Sequence, residues 1–407
     1  MGRVSRPLGL ASLLCFVSTA CQPSSPRPAA ETAPSAPAAV PAEAAAAQQP
    51  LPAGPTPEAA PALPSVERAR LEYALDSAKL LGQDWPWLRV DETCVLLIAP
   101  EAQWIVNCPT APEAFTAVGE PLLGRPVYAT SSTTIESGGR PVPSTAFIAA
   151  VPATADVPLA MDSTKGLARE TPWIITSSLD GLIGAHPAFG NDTPTEEWLA
   201  VFLHEFFHTR QFLLPSFRST LVEMKSGKVD ATALEKLFKD DGSYRALVER
   251  EYAALSAAAT RDAALTAEAA RAVLQSWSSM YTERRAQLQK LGGEPFVRAD
   301  LVLTYVEGTG RYVEANFLSD ARFHSSLPLT ADPHYDDFRR FTAKPGYQGL
   351  VQRKLGPRYY YSLGMHLALV LDRADPTWKK RVSEAPEWLV SLARATARPG
   401  LPVTSAK

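Results

Sequence analysis

Thr195-Glu196-Glu197-Trp198-Leu199-Ala200-Val201-Phe202-Leu203-His204-Glu205-Phe206-Phe207-His208-Thr209-Arg210 is the stretch on which the rest of the chain turns. It opens on a Thr, carries two acids in its first turn and has no Gly or Pro, so it predicts one helix. His204 and His208 then lie one turn apart on a shared face. Two imidazoles at that spacing can bind one tetrahedral Zn²⁺, and Glu205 is placed to act as general base on a water at the ion. The pattern is HExxH, in a chain with only six histidines. Phe202, Leu203, Phe206 and Phe207 surround the pair, so this helix is expected to be buried rather than to carry two solvated histidines.

Upstream of this helix the period changes. Residues 66 to 82 have the apolar spacing of an amphipathic helix after Pro64 and Ser65. Val95-Leu96-Leu97-Ile98-Ala99 and Gln103-Trp104-Ile105-Val106-Asn107 flank Pro100-Glu101-Ala102 as a β-hairpin does, with Cys94 and Cys108 at its open end. In an exported protein those two cysteines predict a cross-strand disulfide. Arg125 to Ile135 and Pro141 to Val151, separated by Ser137-Gly138-Gly139, predict a second strand pair, and Pro172 to Thr176 a further strand. The expected class is α+β: a mostly antiparallel, sheet-rich part over 66–193, then a mostly helical part over 194–407. Residues 230 to 291 read as a helical insertion, broken near Asp241-Gly242 and stopped at Gly292-Gly293.

At the other end, Arg3 and Arg6 precede the apolar run Leu8 to Val17, and Ser18-Thr19-Ala20 precede Cys21, so residues 1–20 read as a signal peptide. The run is too short to span a bilayer. Cys21 resembles the acylated cysteine of bacterial lipoproteins, although Ser18 stands where that pattern usually has Leu, so cleavage by an ordinary signal peptidase is the alternative. Residues 22–65 hold 12 of the 36 prolines and 15 alanines. Such a segment cannot bury enough apolar surface to offset its ordering entropy, so 21–65 is expected to be a disordered tether. The protein is thus expected in the cell envelope, lipid-anchored at Cys21 and facing the periplasm or the cell surface, or secreted if not lipidated. Of 407 residues 46% are hydrophobic and 20% charged, and 40 basic against 43 acidic side chains give a net charge of −3. With no long basic run, nucleic-acid binding is not expected.

A catalytic zinc commonly takes three protein ligands, and no third histidine follows His208 at a suitable distance. Steps of three and four place Leu303, Glu307, Gly310, Glu314 and Phe317 on one helical face, so the segment Tyr305 to Glu314, with two carboxylates along that face, is the first choice. Glu251 also sits on an apolar face, between Leu247 and Leu255, and is the rival; Glu249 points away from that face and is expected to be solvated. Among possible oxyanion partners, Tyr305, Tyr312 and Tyr359-Tyr360-Tyr361 stand near these helices. His366, on Leu363-Leu367-Val370 spacing, reads as a core histidine, and His186, His324 and His334 lack partner spacing.

His204-Glu205-Phe206-Phe207-His208 with Glu307-Gly308-Thr309-Gly310-Arg311-Tyr312 resembles the gluzincin group of zinc metallopeptidases, specifically the HExxH and EGxAxY pairing of its collagenase-like members. The resemblance is local, Gly310 stands where Ala is common, and the interval between the two motifs is long. It implies a zincin-like fold, a bound Zn²⁺ held by His204, His208 and Glu307, Glu314 in the outer shell, and Tyr361 as the tyrosine opposite the metal. It further implies hydrolysis of a peptide or protein substrate with Glu205 as general base. HExxH specifies an activated water and leaves the acyl group open, so a hydrolase of another amide or ester is an alternative, as is a lipid-anchored binding or assembly protein that turns nothing over.

Overall fold

The computed structural model describes residues 60–111, 115–131, 134–137, 140–143, 148–151, 172–183, 189–214, 217, 223, 228–260, 265–324, 329–343, 355–384 and 389–397, with strand backbone only between 134 and 151. The signal peptide, Cys21, nearly all of the tether and His186 lie outside these residues.

Helix α1 (Ser65–Asp84) buries Leu71, Ala74, Leu75, Ala78 and Leu81, the three-and-four spacing of an amphipathic helix. The hairpin follows: β1 (Cys94–Ile98) pairs antiparallel with β2 (Gln103–Val106) in the register Leu96–Ile105, and Cys94 and Cys108 form the disulfide at its open end. Strands β3 (Thr116–Ala117), β4 (Tyr128–Thr130), β7 (Ile148–Val151) and β8 (Trp173–Ser177) complete a six-stranded sheet of order β3-β4-β2-β1-β8-β7. The central pair β1–β8 is parallel, Leu96 opposite Ile175, so the sheet is mixed. Both strands are buried along their whole length, as a central parallel pair requires. On one face Val95, Leu97 and Ile174 join the main core, and on the other Leu96, Ile98, Ile105 and Ile175 form a smaller cluster around the disulfide.

The second strand pair forms in part, with Ile135 opposite Val142 as expected, while the outer runs of the two segments pair elsewhere. Tyr128–Thr130 pairs with β2 and Ile148–Val151 with β8, while β5 (Thr134–Ser137) and β6 (Arg140–Pro143) make a separate two-stranded ribbon. Pro141 and Pro143 alternate along β6 and remove two ladder donors, which suits a ribbon strand and not one inside a sheet.

After a single turn, α2 (Leu179–Leu182), the regular elements among the described residues are mainly the α-helices α3 (Thr195–Gln211), α4 (Ala231–Asp240), α5 (Gly242–Thr260), α6 (Ala267–Ser319), α7 (Phe338–Ala343), α8 (Tyr359–Ala374), α9 (Trp378–Glu384) and α10 (Leu389–Thr396). The break at Asp241 is a cap, its carboxylate accepting from Tyr244 N at 2.8 Å. The expected stop at Gly292-Gly293 is instead a kink. Gly293 adopts φ 70°, ψ −165°, and α6 resumes through Pro295, whose missing N–H costs little in the first turn of the resumed helix. The insertion thus runs directly into the helix that carries Glu307. No helix of the described residues is long and apolar enough to cross a membrane.

Candidate metal centre

Helix α3 is buried on every side, with Arg210 alone among its residues left partly exposed. Its start is fixed by side chains rather than by a local cap. Thr195 Oγ1 donates to Asp332 Oδ2 at 2.6 Å, and Asp332 in turn receives Arg70 from α1 in a bidentate pair at 2.8 and 2.7 Å. One face of α3 meets the second arm of α6, and there His204 and His208 meet Glu307.

The Nε2 atoms of His204 and His208 are 2.9 Å apart, and Glu307 Oε2 lies 3.7 Å from His204 Nε2. All three residues are buried, and one ligand atom from each falls within 4.8 Å of the others. Each ring is held from behind. His204 Nδ1 meets Glu314 Oε1 at 2.5 Å, and Glu314 also pairs with Arg311. His208 Nδ1 meets Gln211 Oε1 at 2.8 Å, and Gln211 Nε2 donates to Thr309 Oγ1 at 3.0 Å. A carboxylate and an amide oxygen only accept, so both Nδ1 atoms are the protonated ones. Both Nε2 atoms therefore turn towards one another and towards Glu307.

This arrangement could hold a cation. Neither oxygen of Glu307 completes a hydrogen bond of ordinary geometry, and the two Nε2 atoms converge beside it. In a tetrahedral zinc site the two nitrogens would stand about 3.3 Å apart, close to their present separation. Protonation states suit the same role. Burial, helped by His204, pushes His208 down to about 4, keeping it neutral. Burial would raise Glu307, but His204, His208 and the Tyr361 hydroxyl outweigh it and hold the carboxyl below its usual range.

Two close helix contacts set this geometry. A Cβ on Gly310 would lie 2.7 Å from His204 Nε2, so the ring packs on bare backbone and the Ala common at this position in the EGxAxY motif would displace it. A Cβ on Gly308 would lie 2.4 Å from Gly364 Cα, where α6 and α8 cross in backbone contact. That crossing brings Tyr361 to the metal group, its ring centroid 6.3 Å from that of His204.

Glu205 is buried beside His204 on α3. Glu251 lies elsewhere: its carboxylate takes Arg284 Nε at 2.6 Å and Trp277 Nε1 at 3.1 Å, so a buried guanidinium occupies the place a metal would need. Glu249 is exposed. Of the other tyrosines, Tyr312 bonds Asp372, Tyr359 bonds Asp300, Tyr360 reaches Glu235, and Tyr305 stacks on Phe217. His366 is satisfied by Ser362 O at 2.7 Å, His324 stacks on Phe338, and His334 reaches Asp180 at 3.3 Å. Gln211 and Thr309 were not singled out from the sequence, although Gln211 follows His208 by three and so shares its face.

No protein-family model, curated protein or solved structure matches the chain.

Proposed function

We propose that this chain is an exported zinc hydrolase of the gluzincin type that cleaves peptide bonds. The observation that carries the proposal is the convergence of His204 Nε2, His208 Nε2 and Glu307 Oε2 where α3 meets α6, with both rings held by Glu314 and Gln211. When bound, a zinc ion would polarise the scissile carbonyl and make a water acidic enough to lose its proton near neutral pH. Glu205, next in the chain to His204, accepts that proton on its carboxylate and returns it to the leaving amine. Tyr361, whose ring lies 6.3 Å from that of His204, offers its hydroxyl hydrogen to the carbonyl oxygen as charge gathers there. Glu314 and Gln211 keep the two Nε2 atoms deprotonated and aimed inward. Among the described strands β7 forms one edge of the sheet and packs against α3, which suits pairing with an extended peptide. The Cys94–Cys108 disulfide favours an oxidising compartment, in keeping with the leader and with an anchor at Cys21.

Metal analysis combined with cleavage of a broad peptide library tests the proposal. Wild type should hold one zinc and cleave in a chelator-sensitive way. Glu205→Gln should keep the zinc and lose at least about 100-fold in rate. A chain that takes up no zinc, or a Glu205→Gln variant as active as wild type, refutes it.

One observation favours a second reading, a zinc-holding assembly protein without turnover: His204, His208 and Glu307 are 1%, 0% and 0% exposed. Zinc bound by a folded protein that cleaves nothing in the library would support it.

A further inference from the structure

Three consecutive tyrosines open α8, and each is tied to a different part of the molecule. Tyr359 OH accepts from Tyr244 OH on α5 at 2.7 Å and donates to Asp300 on α6 at 2.8 Å. Tyr360 OH donates to Glu235 on α4 at 3.2 Å, beside Arg358, which donates to the same oxygen at 3.0 Å. Tyr361 faces the metal group. Successive helical residues point about 100° apart, so these three contacts fix the rotation of the first turn of α8 from three sides.

Two of the three anchors belong to the helical insertion, and its own placement depends on a buried ionic cluster. Arg284, in the arm of α6 before the Gly293 kink, donates to Glu251 at 2.6 Å and to Asp300, beyond the kink, at 2.5 Å. These three side chains are 0–2% exposed. Such a buried cluster gains little stability over apolar packing and is best attested where it fixes a register. Here it spans the one non-helical point of α6 and hands its Asp300 to Tyr359.

We propose that the insertion, α4, α5 and the first arm of α6, is a positioning element for Tyr361, acting through Tyr359 and Tyr360 on the orientation of α8. It rests on the zinc reading of the site. Tyr359, Tyr360, Arg284 and Glu235 are positioning residues, remote from any reacting atom, and the effect they transmit is the contact between the Tyr361 hydroxyl and Glu307.

A double-mutant cycle on cation affinity tests this in the full chain, with Zn²⁺ affinity measured by chelator competition and Co²⁺ loaded separately to read ligand geometry from its visible absorption. Tyr361→Phe should weaken Zn²⁺ about tenfold, in the range seen when outer partners of a metal ligand are removed. Tyr359→Phe should weaken it several-fold and shift the Co²⁺ spectrum, yet add nothing in the Tyr361→Phe background. Glu235→Gln, at a partly exposed position, provides the same comparison if Tyr359→Phe does not fold. Thermal melts separate the two roles, because a purely structural contact lowers Tm without touching affinity or spectrum. A wild type that binds no cation overturns the zinc reading and this one with it. A wild type that binds zinc, with affinity unmoved by Tyr359→Phe and Glu235→Gln or with effects that multiply independently of Tyr361, overturns this inference alone.

Discussion

His204 Nδ1 and Glu314 Oε1 are 2.5 Å apart, and that bond decides which nitrogen of the ring is free to take a metal. Glu314 stands seven residues beyond Glu307, two turns along the same face of α6, so one helix supplies both a proposed ligand and the group that orients a proposed ligand on its neighbour. Glu314→Ala should therefore lower zinc affinity about 10- to 100-fold while leaving Glu307 in place. Glu314→Gln, which keeps an accepting oxygen, should lose less. Chelator competition on the folded variants provides the comparison.

Gly310 lies under the His204 ring, where an added methyl would come within 2.7 Å of two of its atoms. Gly310→Ala should cost about 1–3 kcal/mol in denaturant unfolding and reduce zinc content, because the ring must tilt away from His208. Equal zinc content and unchanged stability would show that the helices separate more easily than their packing indicates.

Glu307 and Glu251 are both buried acids on apolar helical faces, but only one lacks a protein cation. Glu307→Ala should abolish zinc uptake by a chain that still folds. Glu251→Ala should leave one zinc bound at saturation and cost about 1.5–3 kcal/mol, the loss of its charged hydrogen bonds to Arg284 and Trp277. Metal stoichiometry beside unfolding curves separates the two outcomes, and loss of zinc in Glu251→Ala alone would reverse the assignment.

Glu197, near Arg311 on the buried side of α3, is pushed up to about 7 by burial, which the Arg311 charge only partly offsets. Between its unfolded value near 4.5 and 7 the folded state binds more protons than the unfolded one, so this residue's contribution to stability falls as pH rises through that window. Glu197→Gln removes the effect. It should stabilise the protein by about 1–3 kcal/mol at pH 8, with the gain vanishing towards pH 4.5, read from denaturant midpoints at both pH values.

Most of the cluster of His204, His208 and Glu307 was legible in the chain because its signal is local. His204 and His208 are joined by helical spacing alone, and the Cys94–Cys108 hairpin by two short apolar runs around Pro100-Glu101-Ala102 with a cysteine before the first and after the second. The face of Glu307 and Glu314 ranked above that of Glu251 because it holds two carboxylates, and Glu307 was picked from the two by resemblance. What separates Glu307 from Glu251 is Arg284, which reaches Glu251 through helix packing that no spacing encodes. The same limit hid the parallel partnership of β1 and β8, whose residues lie far apart along the chain, and the division of residues 125–151 among different partners. Gly292-Gly293 looked like a terminus because glycine pairs usually end helices; a following Pro295 is as compatible with a restart as with a stop.

Because α3 is enclosed on all sides, its amide hydrogens can reach solvent only through an opening that dismantles the surrounding core. Hydrogen exchange along residues 198–208 should therefore run at the rate of global unfolding, while α9 and α10 exchange sooner. The backbone that carries the two imidazoles would thus stay fixed while side chains move around it, so that anything entering or leaving the cluster does so without unwinding this helix.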